Sequence, residues 1–301
     1  MWLVFKGTAK VGLTGVVFDR REELLETLHQ GPEAVLSQDE TVAGLVPSRW
    51  KLSLIQAAVP WLERYTLSGI WRVLQRYDLK LRTARVQQYS PDPDYEPKVA
   101  YLLDCLQESA QNPETIVFLF MDEMGYYCWP EVSQIWVEAT PGDAPQADRQ
   151  QAKQQQWRLI GTLNALTGQV DYLDNYIVGR AKVIELYQLI VERYAWASRI
   201  YIGQDNWSIH KHPEVMDALA SLPVIEPVWL PTYAPWLNPI EKLWRWLRQD
   251  VLKMHRLAAH WSLLRQRVNS FLDQFSDGSP ELLRYVGLAG DGKLATVIHT
   301  A

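Results

Sequence analysis

Between Thr115 and Phe275 the chain alternates short apolar runs with helical patterns, and the order of that alternation leaves few architectures open. Thr115–Met121 is apolar or β-branched throughout, which predicts a strand buried on both faces. Trp157–Asn164 and Gln169–Val178 flank a turn at Thr167-Gly168 and predict two more strands. There follow a helix over Ala181–Tyr194, a strand over Arg199–Gln204, a helix near Pro213–Ala220 and a strand over Val224–Leu230. Helices at Pro239–His255 and about His260–Phe275 complete the series. Strand, strand, strand, helix, strand, helix, strand, helix predicts an α/β fold: a mixed five-stranded sheet with helices on both faces.

The front of the chain reads differently. Asp19–Leu28 predicts a helix ended by Gly31-Pro32, and Trp50–Leu62 a second that Pro60 ends or kinks near its last turn. Thr66 or Ser68 offers an N-cap for a third, carrying Ile70, Trp71, Val73, Leu74 and Tyr77. The short Glu63–Ser68 connection makes the last two a helix-turn-helix, with Arg72 and Arg76 on one face at i, i+4 spacing. Ser90–Glu96, with Pro91 and Pro93, predicts a linker before a helix near Lys98–Ser109, and the polar stretch Pro141–Gln156 a loop. The organisation expected is an all-α region over 1–89, linker and helix over 90–114, the α/β domain over 115–275 and a C-terminal tail over 276–301.

Charge sharpens this division. The net charge of −5 argues mildly against a nucleic-acid partner, yet Arg49–Arg85 holds eight basic residues against two acidic ones, and the balance reverses from Pro91 to Arg149. A basic module joined to an acidic one suits a polyanion held by the first and carboxylates gathered by the second. The 14 Trp and 14 Tyr decide nothing, since such rings serve cores, sugars and nucleic acids alike. Cys105 and Cys128 form neither a disulfide framework nor a zinc cluster, and Met1–Phe5 is too short for a signal peptide or a span, so a cytoplasmic protein away from membranes is expected.

Three acids stand out. Asp122 and Asp205 each close an apolar run, and Glu241 follows Asn238-Pro239 at the start of a helix. Carboxylates from three segments meeting at one edge of a sheet would suit a divalent metal. Each also has an ordinary reading. Asp122 can open a turn before Gly125, Asp205 can be a turn-forming Asx residue with Asn206 bonded to its own loop, and His210 can simply cover an apolar surface. Asn238 as N-cap and Glu241 as third helical residue form a capping box that needs no chemistry. Paired carboxylates with many aromatics also suit a glycosidase, which would work without metal.

Met121-Asp122-Glu123, Gln204-Asp205-Asn206 with His210, and Tyr233-Ala234-Pro235-Trp236-Leu237-Asn238-Pro239-Ile240-Glu241 with Trp244 together resemble the mariner superfamily of transposases, in its bacterial IS630 insertion-sequence branch. The 35 residues between Asp205 and Glu241 look like the spacing of that family's Asp-Asp-Glu triad, and the resemblance spans about residues 50–256. It implies a ribonuclease H-like catalytic domain, with Asp122, Asp205 and Glu241 as catalytic metal ligands supported by Asn206, His210 and Asn238. It further implies two magnesium ions, with manganese as a substitute, and double-stranded DNA cut at transposon ends and joined to a TA target. A homodimer in the cytoplasm, associated with the nucleoid, would carry this out. Arg72, Arg76, Lys80, Arg82 and Arg85, and beyond the triad Lys242, Arg245 and Arg248, are the candidate DNA contacts. Met1–Val46 is short for the further helix-turn-helix that the family carries, so the front reads as truncated; a catalytically inactive, DNA-binding remnant is the alternative.

Overall fold

The computed structural model describes residues 11–35, 48–82, 89–136, 145–147, 149 and 154–299. The chain divides into two compact units, residues 1–86 and 87–301. Arg85 and most of the Pro141–Gln156 stretch lie outside the described residues, as does the start of the chain through residue 10.

In the first unit, helix α1 (Val11–Gln30) is followed by the short α2 (Pro32–Val35), α3 (Leu52–Ala58) and α4 (Leu67–Arg76). Pro60 ends α3 as expected, and a single 3-10 turn, Pro60–Leu62, leads on toward α4. Thr66 is the N-cap, its side chain accepting from Gly69 N at 3.1 Å. Leu24, Ile55, Val59, Leu62, Ile70, Val73 and Leu74 form one small core. The apolar positions of α4 fall on one side, which leaves Arg72 and Arg76 exposed on the other.

The second unit is built on a sheet of five strands: β1 (Ile116–Tyr127), β2 (Gln156–Asn164), β3 (Val170–Asn175), β4 (Arg199–Gln204) and β5 (Ile225–Trp229), in the order β3-β2-β1-β4-β5. β1, β2 and β3 are antiparallel neighbours, and β4 and β5 run parallel to β1. This mixed sheet with helices against both faces is what the element order predicted, and it is the ribonuclease H-like fold that the resemblance implied. Alternate residues of β1 sort its two faces. Phe118, Phe120 and Met124 face α5 (Tyr95–Gln111), α8 (Ile240–Leu247) and α9 (Trp261–Asp273); Val117, Leu119 and Met121 face α6 (Arg180–Arg193) and α7 (Pro213–Ala220).

Three expectations need correction. β1 does not end at Asp122 but runs on to Tyr127, because β2 pairs with it from Leu119 onward, Asp122 opposite Gly161 and Tyr127 opposite Gln156. Periodicity could not see this, since the residues after Asp122 are no longer uniformly apolar. Residues 276–301 are not a tail: α10 (Pro280–Val286) and α11 (Lys293–His299) follow, and Leu282, Val286 and Leu288 are buried in the same core as α5 and α8. The proline-rich Ser90–Glu96 is no free linker either. Ser90 Oγ donates to Thr232 O at 2.6 Å, and Thr232 N donates to the buried Asp92 carboxylate at 2.7 Å.

Candidate active site

Asp122, Asp205 and Glu241 come from β1, the end of β4 and the first turn of α8, and they line one cavity of about 530 Å³. Asn206, Asn238 and Tyr233 complete much of its wall. The three acids the motifs single out are thus brought together, and the fold leaves open space between them.

Asp122 lies mid-strand, on the face that meets α8. Its Oδ2 accepts from the indole Nε1 of Trp244 at 3.0 Å, three residues beyond Glu241 and therefore on the same side of the helix. Gly161 makes this possible: a Cβ there would stand 3.2 Å from the indole and 3.1 Å from Asp171 O. Burial pushes the Asp122 carboxyl well above the usual range, and the charges of Glu241, Glu123 and Asp205 push the same way. The turn reading of Asp122 therefore fails.

Asp205 keeps both of its readings. Its Oδ1 accepts from Trp207 N at 2.9 Å, an Asx turn, and also faces His210 Nδ1 at 3.2 Å. Burial would raise this carboxyl, but the His210 hydrogen bond, the Trp207 amide and the neighbouring positive charge prevail and hold it below the usual range. Asn206 spans to the next strand, donating to Leu230 O at 2.6 Å and accepting from Lys211 Nζ at 2.6 Å.

His210 does not merely cover an apolar surface. It is 1% exposed and lies between two acids, Nε2 2.9 Å from Glu123 Oε1 and Nδ1 toward Asp205. Burial disfavours its charge, yet the two carboxylates raise its pKa to about 9, so the imidazole is protonated at neutral pH. Glu123 points to the face opposite Asp122, as strand alternation requires, and its partnership with His210 left no sequence signal because 87 residues separate them.

The capping box at Asn238 and Glu241 does not form. Asn238 instead donates through Nδ2 to Met121 O at 3.0 Å, tying the loop before α8 to β1, and its Oδ1 has no hydrogen-bond partner among the described residues. Glu241 is left to the cavity. Burial raises its pKa, Arg245 and Arg248 pull it down, and Asp205 adds to the rise.

The basic residues of α8 divide. Arg245 lines a smaller cavity of about 240 Å³ with Glu123, Glu241, Trp244 and Arg248. Lys242 is an exposed residue whose ammonium donates to Val286 O at 2.6 Å, and burial of that group lowers its pKa. Arg248, just after α8 and partly exposed, bonds Glu131 at 2.5 Å and Gly125 O at 3.3 Å. Lys80 pairs with Asp78 at 2.7 Å on an exposed turn, and Arg82 is exposed.

Among the described residues no group of three or more His, Cys, Asp and Glu side chains is drawn together tightly enough to hold a metal ion as it stands. The donor set nevertheless fits one. It is hard carboxylate oxygen facing a shared cavity, and Asp122 is buried with its strongest charge interaction a repulsion from Glu241, which a cation would reverse. Trp244 occupies one oxygen of Asp122, and Trp207 with His210 one oxygen of Asp205; the second oxygen of each would hold the ion, with Glu241.

The ribonuclease H-like sheet thus carries one acid on β1, another at the end of β4 and a third on α8, all at one cavity. Residues 117–263 match the model of the DDE superfamily endonucleases. The resemblance read from the three motifs therefore holds. The chain is 26% identical over 243 residues to the insertion element IS630 uncharacterized 39 kDa protein of Shigella sonnei, a match covering 77% of this chain and 66% of that protein, just under two thirds of its length. Among solved structures it is similar to the Mos1 transposase paired-end complex with left transposon end, at 16% identity and TM-score 0.48 over 84% of this chain and 82% of that one. It is also similar to the HTLV-2 integrase catalytic core domain in complex with magnesium, at 13% identity and TM-score 0.34 over 53% of this chain and 83% of that one.

Proposed function

We propose that this chain is a DNA transposase that cleaves at transposon ends and transfers the freed strand into target DNA, at TA by the family resemblance. The observation that carries the reading is the meeting of Asp122, Asp205 and Glu241 at one cavity, with Asp122 buried against the charge of Glu241. Two magnesium ions, or manganese in their place, are the cofactor this donor set would hold. Such ions supply activation of the attacking oxygen and stabilisation of the leaving oxygen in an in-line displacement.

The rest of the work falls to the protein. Trp244 fixes the rotamer of Asp122 from α8, and His210 fixes Asp205 while neutralising part of the charge of Glu123. Asn206 and Asn238 hold the β5 end and the loop before α8 against the strands that carry the acids. Each supports its carboxylate in one orientation, and this positioning is where much of the catalytic advantage of phosphoryl transfer arises.

DNA is the proposed partner. The exposed Arg72 and Arg76 on α4, with Lys80, Arg82 and Arg85 after it, are the proposed duplex contacts of the first unit. Arg245 is the basic residue of α8 best placed to meet a phosphate, because it lines a cavity that Glu241 shares. Two copies acting on paired ends, and action on chromosomal DNA in the cytoplasm, complete the proposal. No helix among the described residues is long and apolar enough to cross a membrane.

The test is nicking of supercoiled DNA with magnesium or manganese. Asp122→Asn, Asp205→Asn and Glu241→Gln should each abolish nicking with duplex binding retained, and a chelator should abolish it in the wild type. Cations at about a hundred times their Kd should add roughly 2.7 kcal/mol of stability to the wild type, read as a raised melting temperature that Asp205→Asn lacks. Nicking that survives complete chelation would refute the proposal.

A further inference from the structure

Tyr233 stands at the rim of the acid-lined cavity with a backbone φ of 53°. A bulky aromatic in the left-handed region is strained, and such strain persists only where the surroundings impose it. They do so here. Thr232 before it is held through both its N–H and its carbonyl by Asp92 and Ser90, and Ala234 after it is buried and accepts from Leu237 N at 3.0 Å.

Among the described residues nothing repays that strain through the side chain. Tyr233 is 77% exposed, and among the described residues its hydroxyl has no hydrogen-bond partner. Glycine would take the same turn without strain. The phenol ring is thus offered to the cavity rather than to the core, beside carboxylates that repel phosphate. Stacking on a base face is the contact that neighbouring negative charge opposes least, and it accepts any base.

We propose that Tyr233 is a base-stacking platform that receives the face of a nucleobase adjacent to the phosphate presented to Asp122, Asp205 and Glu241. This inference rests on the transposase reading, and it makes the loop before α8 a substrate-positioning element as well as the carrier of Glu241.

The probe is a short DNA duplex with a single-stranded 3′ overhang bearing one 2-aminopurine, mixed with the full chain in calcium, which binds oxygen ligands with looser geometry than in-line transfer requires. Wild type and Tyr233→Phe should quench the fluorescence by stacking. Tyr233→Ala and Tyr233→Gly should lose the quench, and their affinity for the overhang probe should fall roughly five- to 150-fold, the range of one base–aromatic stack. Blunt duplex should bind all four alike. The melting temperature of Tyr233→Gly should equal or exceed that of the wild type. Quenching that persists in Tyr233→Ala would overturn the proposal, and so would a clear drop in melting temperature for Tyr233→Gly, which would make the ring a support of the fold. Failure of the transposase reading shows separately, as a wild type that nicks no DNA with magnesium or manganese; the fluorescence decides the stacking in either case.

Discussion

Replacing Trp244 with phenylalanine removes one hydrogen bond and part of one ring while leaving the three acids in place. The indole is 3% exposed and its N–H donates to Asp122 Oδ2 at 3.0 Å. Leaving a buried carboxyl oxygen without its donor costs about 1–3 kcal/mol. The smaller ring leaves a void on the order of 30–40 Å³ against Gly161, worth about 1 kcal/mol at the usual cost of cavity volume. The sum is about 3 kcal/mol, and in a unit of this size each kcal/mol moves the melting temperature by about 2–4 °C, so a drop of roughly 6–12 °C is expected. Calorimetry on wild type, Trp244→Phe, Asp122→Ala and the double variant would read the pair directly, with a coupling of about 1–3 kcal/mol expected for groups that touch. Nicking should fall in Trp244→Phe as well, because Asp122 loses the group that sets its rotamer. A coupling under about 0.5 kcal/mol, the scatter expected of independent sites, would refute the claim that Trp244 holds the carboxylate.

Two more outcomes are expected. Arg72→Ala with Arg76→Ala should weaken duplex binding and reduce the slope of log affinity against log salt by about 0.9 for each phosphate that these side chains neutralise; an unchanged slope would mean that both arginines stay in solvent. The clasp at Asp92 should be pH-dependent in a defined direction. The Lys98 ammonium, with Thr232 N, holds this carboxyl well below its ordinary value of 3.8, so the folded state favours the ion. Its contribution is therefore complete above pH 3.8 and lost as pH falls through the depressed folded value. Asp92→Asn should lower the melting temperature at pH 7, with the difference from wild type closing as pH falls below 3.8, and a difference that is constant from pH 7 down to about 2 would contradict the assignment.

Much of this protein is written locally. The sheet strands and their helices follow from runs of one or two turns' length, because burial imposes a period of 2 or 3.6 on neighbouring residues and that period survives in the sequence. β4 and α7 occupy the residues that pattern predicts. The candidate acids were legible for another reason: the Tyr233–Glu241 stretch packs several unusual residue types into one short motif, and Asp122 and Asp205 each close an apolar run.

What the tertiary structure decided is everything that depends on residues far apart. Whether Asp122 ends β1 or sits within it turns on pairing with β2, and its strong burial turns on Trp244, 122 positions away. His210 becomes a bridge between two acids only when β1 and β4 lie side by side. Asn238 has the identity of a helix cap, but its Nδ2 bond to the carbonyl of Met121 ties the side chain to β1, and its Oδ1 accepts from no helix N–H. Local sequence fixes which groups each segment can offer; which of the competing partners each group meets is settled by the packing of the sheet, since a hydrogen bond goes to whichever atom the fold brings within about 3 Å.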